Sequence, residues 1–526
     1  MIKYLLILFI VLMPVISDAQ SNSIELPDFV ITGSKSVSIP TIKKNSPEAI
    51  VKLESENFDI NVISEDVPFP KLSAPSILKN VQDSIPSIRS GMLRIGAGYY
   101  IQPTGDFFLN TGVEHVLVNL HLYGKNIKDY EDYSRHNISG AEGKFNFFIS
   151  PKSVLFPGSK LDLSAKYVKN NYRLFGSNNL GQLRQNDLSG THLSFENNYS
   201  NNFNYSINFY ASKLEMKSDS LQEINMNIEP QFILKWNGFR IMTSASIITY
   251  KVYSDFSAYN SFQKYFGSVE MNPGEHFSLK AGGEYINFEW SNYFKPFVEV
   301  SYQLNNQFVF SGTFKPFMKY YTHTDFININ PYYIPSNINS VTENHKLFSE
   351  FSFLYNFAKN LEVKTFVSYD NIDSLIFIDD YKNYKEPKVE TISDVWNLKT
   401  GLNAKLKTGM LGNFYLAIQW QSLFNKEKIY LPAVPELEVN FIHNLSISKT
   451  IGLVTKLEFV DGLHYQISSK TKSPSQLNLG IEVNYFITSG FNLFVNINNL
   501  TNKKYSDFEY YRHKPLDVLI GFEYQW

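Results

Sequence analysis

From Gly91 to Trp526, apolar and polar residues alternate in segment after segment. In 203–212, Phe203, Tyr205, Ile207, Phe209 and Ala211 share one face, and Asn204, Ser206, Asn208, Tyr210 and Ser212 share the other. In 361–370, Leu361, Val363, Thr365, Val367 and Tyr369 oppose Glu362, Lys364, Phe366, Ser368 and Asp370. In 414–421, Phe414, Leu416, Ile418 and Trp420 oppose Tyr415, Ala417, Gln419 and Gln421. A period of two puts each set on its own side of a sheet. The polar faces suit a wet lumen better than a dry sandwich core.

The connections between these segments are short, then long, then short again. Tight ones include Glu114-His115, Ser200-Asn201-Asn202, Asn237-Gly238, Asn272-Pro273-Gly274-Glu275, Asn305-Asn306, Lys359-Asn360, Thr450-Ile451-Gly452 and Thr488-Ser489-Gly490. Longer ones are expected near 125–134, 175–187, 254–261, 322–344, 370–393, 426–433, 466–474 and 501–516. A chain that crosses a bilayer back and forth as a closed sheet has tight turns on one side and roomier loops on the other. About 22 strands fit, an even number that leaves both barrel ends on one side. The pattern predicts an all-β chain: a large transmembrane antiparallel β-barrel over 91–526, preceded by an extended N-terminal segment. A soluble β-propeller would repeat a blade motif every ~40–50 residues, and no such repeat is present.

Composition agrees. The 526 residues are 43% hydrophobic and 16% aromatic, with 34 Tyr and 43 Phe. The mean hydropathy of −0.21 is too polar for a bundle of membrane helices. The net charge of −2 offers no basic field, so nucleic acid is not an expected partner. There is no cysteine, hence no disulfide, thiolate metal site or thiol nucleophile.

Residues 1–19 read as a secretory signal peptide. Lys3 precedes the apolar run 4–13, Pro14 follows, and Ser17 and Ala19 are small residues at the −3 and −1 positions. Cleavage is expected after Ala19, with no cysteine at the cut for a lipid anchor. Residues 20–90 hold Pro27, Pro40, Pro47, Pro68, Pro70, Pro75 and Pro86 and little sustained period. They are expected to form an extended periplasmic or luminal segment.

The final strand places Val518, Ile520, Phe522, Tyr524 and Trp526 towards lipid, with Leu519, Gly521, Glu523 and Gln525 inward. A terminal aromatic on an alternating strand resembles the signal read by the bacterial barrel-assembly machinery, with Phe522, Tyr524 and Trp526 carrying it. Before it stands 491–505, including Asn498-Asn499-Leu500-Thr501-Asn502-Lys503-Lys504-Tyr505. This resembles the penultimate strand end of TonB-dependent receptors. Leu431-Pro432-Ala433-Val434-Pro435-Glu436 weakly resembles a strand entry of such barrels. Near the N-terminus, Glu25-Leu26-Pro27-Asp28-Phe29-Val30-Ile31-Thr32-Gly33 resembles a TonB box. A short run of β-formers can add as a strand to a partner's sheet edge.

The resemblance implies an outer-membrane receptor of a Gram-negative cell, taking up a nutrient across that membrane. Its expected partners are outer-membrane lipids, the barrel-assembly machinery, a TonB-like energy transducer that binds Asp28, Phe29, Val30, Ile31, Thr32 and Gly33, and a ligand the sequence does not name. One departure is large. The family places a globular plug between box and barrel, whereas 34–90 supplies only 57 residues here. The lumen is expected to be filled by that segment, by loops folding in, or by another protein. Non-transporting alternatives are a structural, secretion-complex or adhesion barrel, and less favoured, a barrel hydrolase.

No cofactor or catalytic motif appears, and an enzyme is not expected. The ten histidines are scattered, without H-E-x-x-H, a Walker loop or G-x-S-x-G. Asp370, Asp373, Asp379 and Asp380 are expected to form a solvated acidic loop. The tyrosine pairs at 99–100, 320–321, 332–333 and 510–511 suit the lipid interface, and those in 322–344 could also line a ligand surface.

Overall fold

The computed structural model describes residues 90–526, apart from 179, 198–201, 237, 255–256, 275, 290, 336–340, 358–359, 380–384, 386, 428–430, 433 and 468–471. The expected signal peptide, the box at 28–33 and nearly all of the segment 20–90 therefore lie outside the described residues.

Within them the alternation becomes one continuous antiparallel sheet. It contains 23 strand segments. Phe308–Phe314 and Phe317–Tyr321 both pair with Val341–Phe357 and are two pieces of one strand, interrupted at Lys315 and Pro316. Proline has no N–H for the ladder, which accounts for the break. The barrel thus has 22 strands, each beside its sequence neighbour, and the first, Gly91–Gly98, pairs with the last, Asp517–Gln525. The sheet has no free edge. Inside a bilayer this is the only way a sheet can satisfy its main-chain donors and acceptors.

The side chains follow the period. Ile520 is 60% exposed and Tyr524 47%, while their neighbours Leu519 and Glu523 are 9% and 7% exposed. Phe351, Val367, Phe294, Tyr259 and Trp420 are likewise exposed on the outer wall. The inner wall is polar and internally paired. Lys405 meets Glu362, Lys280 meets Glu299, and Lys264 meets Glu284, at 3.1, 3.1 and 3.3 Å.

Ten connections lie on the side of the chain ends and eleven on the other. On the first side nine span two to five residues, and 149–158 is longer. In the 237–238 turn Gly238 sits at φ 83°, where a side chain would be strained. On the loop side the alternation of short and long fails in four places. The connections at 99–100, 217–220, 254–256 and 289–290 are short. The expected loop at 254–261 is mostly the strand Ser257–Met271. Its first residues, Ser257-Ala258-Tyr259-Asn260, lack the sustained apolar alternation of the wall, and a strand that projects beyond the bilayer does not need it.

The seam between first and last strand is tightly built. Gly96 and Gly521 face each other across it. A Cβ on Gly521 would lie 2.2 Å from the Ile95 carbonyl oxygen and 2.4 Å from the Phe494 ring. Removing both Cβ atoms lets Phe494 lie across the joint, with the Arg94 guanidinium 4.0 Å above its ring centre. Arg94 also pairs with Glu482 and Glu523. At the chain end the Ser90 and Gly91 amides donate to the Trp526 carbonyl, and the Trp526 amide donates to the Gly91 carbonyl.

Gly521→Val should therefore prevent closure or cost roughly 1–3 kcal/mol through overpacking. It should reduce the heat-modifiable folded band, whereas Gly143→Ala, with open space at its Cβ, should leave that band unchanged. Deleting Trp526 removes the terminal hydrogen bonds and a lipid-facing aromatic, and should lower the amount of barrel recovered from outer membranes.

Candidate functional site

The expected loop 322–344 does not hang free over the barrel. After Tyr321 the chain turns into a short helix, His323–Ile329. Thr322 caps it: its Oγ1 accepts from the Asp325 amide, and the Asp325 carboxylate accepts from the Thr322 amide. Such a box is a local signal for a helix start.

A second carboxylate caps the helix from the barrel wall. Glu223, on the strand Leu221–Trp236, is fully buried. It accepts from the His323 amide at 2.6 Å, the Thr324 hydroxyl at 2.6 Å and the Tyr250 hydroxyl at 3.2 Å. Ile327 packs against the apolar cluster of Leu214, Met216, Leu221, Tyr250 and Val252. Phe326 packs with Tyr333, Ile378 and Val389. The last two belong to the hairpin Leu375–Asp379 and Lys388–Ile392, which stands beside the helix.

Beyond the helix, Arg184 holds the chain. Its guanidinium is fully buried, donates to the Tyr333 carbonyl at 2.7 Å and pairs with Asp219 at 2.8 Å. The Tyr172 hydroxyl donates to the Pro331 carbonyl. Tyr332 stacks on Tyr511 with ring centres 3.6 Å apart and meets Phe175 edge-on. His323 Nδ1 pairs with the Tyr333 hydroxyl at 2.5 Å.

The consequence is topological. The segment leaves the thirteenth strand of the barrel and is bonded to the fifth, sixth and eighth, and to the connection before the last. It therefore crosses the outer mouth as a strap. The expectation that loops fold in is met there by residues 322–334.

Next to the strap, along the same wall, is a recess of about 520 Å³. Lys264, Glu284, Glu229 and Gln231 give it charge and amide groups, and Phe262, Phe266 and Tyr320 give it aromatic surface. Such a lining can hold a compact ligand with both polar and apolar faces. On the neighbouring wall His345 Nδ1 lies 2.7 Å from Asp370 and stacks against Phe317.

This arrangement corrects one expectation. Asp370 and Asp373 are on the strand Leu361–Asp373, and Asp379 is buried in the hairpin, so these three do not form a solvated acidic loop. Asp380 lies outside the described residues. Among the described residues no group of three or more His, Cys, Asp or Glu side chains is placed to hold a metal ion. Tyr320, Tyr332 and Tyr333 serve to pack the strap, and Tyr320 also lines the recess. Phe522, Tyr524 and Trp526 all point outward, with Phe522 against Phe491 and Trp526 against Tyr524.

No known protein family matches the chain, and no curated protein does. Solved structures do. The copper transporter OprC superposes with a TM-score of 0.62 at 13% identity, over 84% of this chain and 80% of its own. The ferric enterobactin receptor PfeA from Pseudomonas aeruginosa gives 0.63 at 10% identity, over 83% and 80%. The ferric-catecholate import receptor Fiu from E. coli K12 gives 0.63 at 11% identity, over 83% and 82%. The barrel has the fold of the TonB-dependent receptors. The 22-strand closure is what decides this, since so few residues are shared.

Two outcomes are expected for the strap. Glu223→Ala leaves four donors, the Thr324 amide included, without their acceptor, at roughly 1–3 kcal/mol for each that stays buried. Hydrogen exchange over 322–334 should accelerate while the barrel strands remain protected. Burial also lowers the pKa of His323 from 6.5 to about 4. The docked strap holds His323 neutral, so the contribution of this residue to docking is complete above pH 6.5 and falls as pH drops from there towards 4. Measured relative to His323→Gln, exchange over 322–334 in the parent chain should rise as pH falls across that window.

Proposed function

We propose that this chain is an outer-membrane receptor that takes up a nutrient too large for diffusion, using a TonB-type energy transducer. The observation that carries this is the strapped mouth. A barrel of this width built as a diffusion pore would keep its outer mouth open. Here fully buried Arg184 and Glu223 hold a segment across the mouth, beside a recess with polar and aromatic lining. The fold shared with transporters and receptors of copper and ferric chelates supports the same reading and suggests a metal chelate as cargo.

In this proposal residues 28–33 add as a strand to the transducer's sheet edge, and Val30→Pro weakens that pairing by removing a main-chain donor. Residues 34–90 partly fill the lumen, and Phe522, Tyr524 and Trp526 present the assembly signal. Cells carrying the chain should accumulate radioiron from ferric enterobactin, or copper, faster than cells lacking it. The Val30→Pro variant should lose most of that gain at unchanged protein level. A peptide of residues 22–36 should bind the transducer from the same cell. Uptake equal in all three strains for both cargoes, together with stable co-purification in a secretion complex, would instead make the chain a non-transporting barrel.

A further inference from the structure

Two turns on the side of the chain ends each carry an adjacent pair of strongly exposed apolar side chains. In 149–158 the tip carries Val154 at 97% exposure and Leu155 at 71%. In 408–412 it carries Met410 at 90% and Leu411 at 63%. Neither tip is a loose excursion. The first is closed by bonds from the Ser159 amide to the Phe156 carbonyl and from Asn197 to the Pro157 carbonyl. The second is closed by the Thr408 amide and hydroxyl on the Gly412 carbonyl.

Both turns bend to the outside of the barrel. Phe156 packs edge-on against Phe195 at 5.2 Å. Phe195 pairs with Leu161 and Ile207 on the outward face, two residues from exposed Leu193. In the second turn the Leu411 carbonyl accepts from His443 at 2.8 Å. His443 stacks on Phe414 at 4.3 Å, on the face that carries Trp420. Each apolar tip thus continues the lipid-facing wall rather than the lumen rim.

Their positions are also related. One turn joins the fourth and fifth strands and the other the sixteenth and seventeenth, twelve strands apart in a ring of 22. They stand on nearly opposite sides.

We propose that these turns are a pair of membrane moorings, with Val154, Leu155, Met410 and Leu411 inserted into the periplasmic-side leaflet of phospholipid. The occupant is lipid rather than a docked protein for two reasons. Both tips are continuous with the lipid-facing wall. A single partner would also have to reach both sides of the barrel at once. Apolar side chains of this kind partition into the interface and out of water, and exposed Lys152 beside the first tip can reach headgroup phosphate. Two opposed moorings fix the depth and tilt of the barrel, so that the strapped mouth is held at a constant height above the membrane.

The chain has no cysteine, so single-cysteine variants can be labelled cleanly. Leu155→Cys, Met410→Cys and, as control, Asn306→Cys in the polar run Asn305-Asn306-Gln307 would carry a nitroxide label. The full chain would be placed in vesicles of phosphatidylethanolamine and phosphatidylglycerol, with folding verified by heat-modifiable migration. Collision rates with oxygen and with a water-soluble nickel complex would then be compared. The labels at 155 and 410 should favour oxygen several-fold over nickel, and the label at 306 the reverse. Nickel access at 155 and 410 equal to that at 306 would overturn the proposal. Lipid burial at only one of the two positions would overturn the paired mooring. If labelling at either position prevents folding, the same comparison with Val154→Cys and Leu411→Cys decides it.

Discussion

Everything in this molecule depends on the pairing of its first strand with its last. A sheet in hydrocarbon cannot leave an edge, because each unpaired amide or carbonyl there costs several kcal/mol. The joint between Gly91–Gly98 and Asp517–Gln525 supplies the missing partners. It joins residues more than 400 positions apart, as in the 429-residue separation of Arg94 and Glu523. Its chemistry is specific. Gly96 faces Gly521, the Phe494 ring covers the gap, Arg94 lies over that ring, and the Trp526 carbonyl takes the first amides of the barrel.

Closure at 22 strands fixes the width, and the width creates a problem that smaller barrels lack. Side chains alone fill an eight-stranded interior, whereas a ring this large leaves space. The described residues meet this at the outer mouth. A strap leaves the thirteenth strand and is tied down by Glu223 on the eighth and Arg184 on the sixth. The ties are polar groups buried with several hydrogen bonds each, and such groups are costly to leave unpaired. The strap is therefore either docked or substantially released, which suits a covering that must yield to a cargo.

The sequence shows the barrel wall clearly and its superstructure poorly, for physical reasons. Alternation is enforced wherever one face meets lipid, so segments such as 203–212 and 361–370 are legible from their residues alone. Where strands rise out of the bilayer that constraint lapses. The polar start of Ser257–Met271 then resembles a loop, and the short connections at 217–220 and 408–412 carry no strong turn residue pair at their centres. The strap's helix does leave a local trace, Thr322-His323-Thr324-Asp325. Its anchors leave none, since Glu223 is 100 residues from His323 and Arg184 is 149 from Tyr333. Isolated charges on alternating strands look like ordinary lumen polars until the fold brings their partners to them. The tyrosine pair 332–333 reads from sequence as suited to the lipid interface or to a ligand surface, whereas Tyr332 and Tyr333 mainly pack the strap.

The most direct measurement is a cross-link at the seam. Leu93 and Tyr524 are opposite residues of the first and last strands, and antiparallel partners lie within disulfide reach. In a chain without native cysteine, the double variant Leu93→Cys/Tyr524→Cys should oxidise almost completely in the membrane. The product should be a circularised barrel that stays compact on a denaturing gel even after heating, until reductant is added. Two thiols that remain separately alkylated under oxidation in folded, membrane-inserted protein would contradict closure by these strands, and with it the account of the lumen and the strap built upon it.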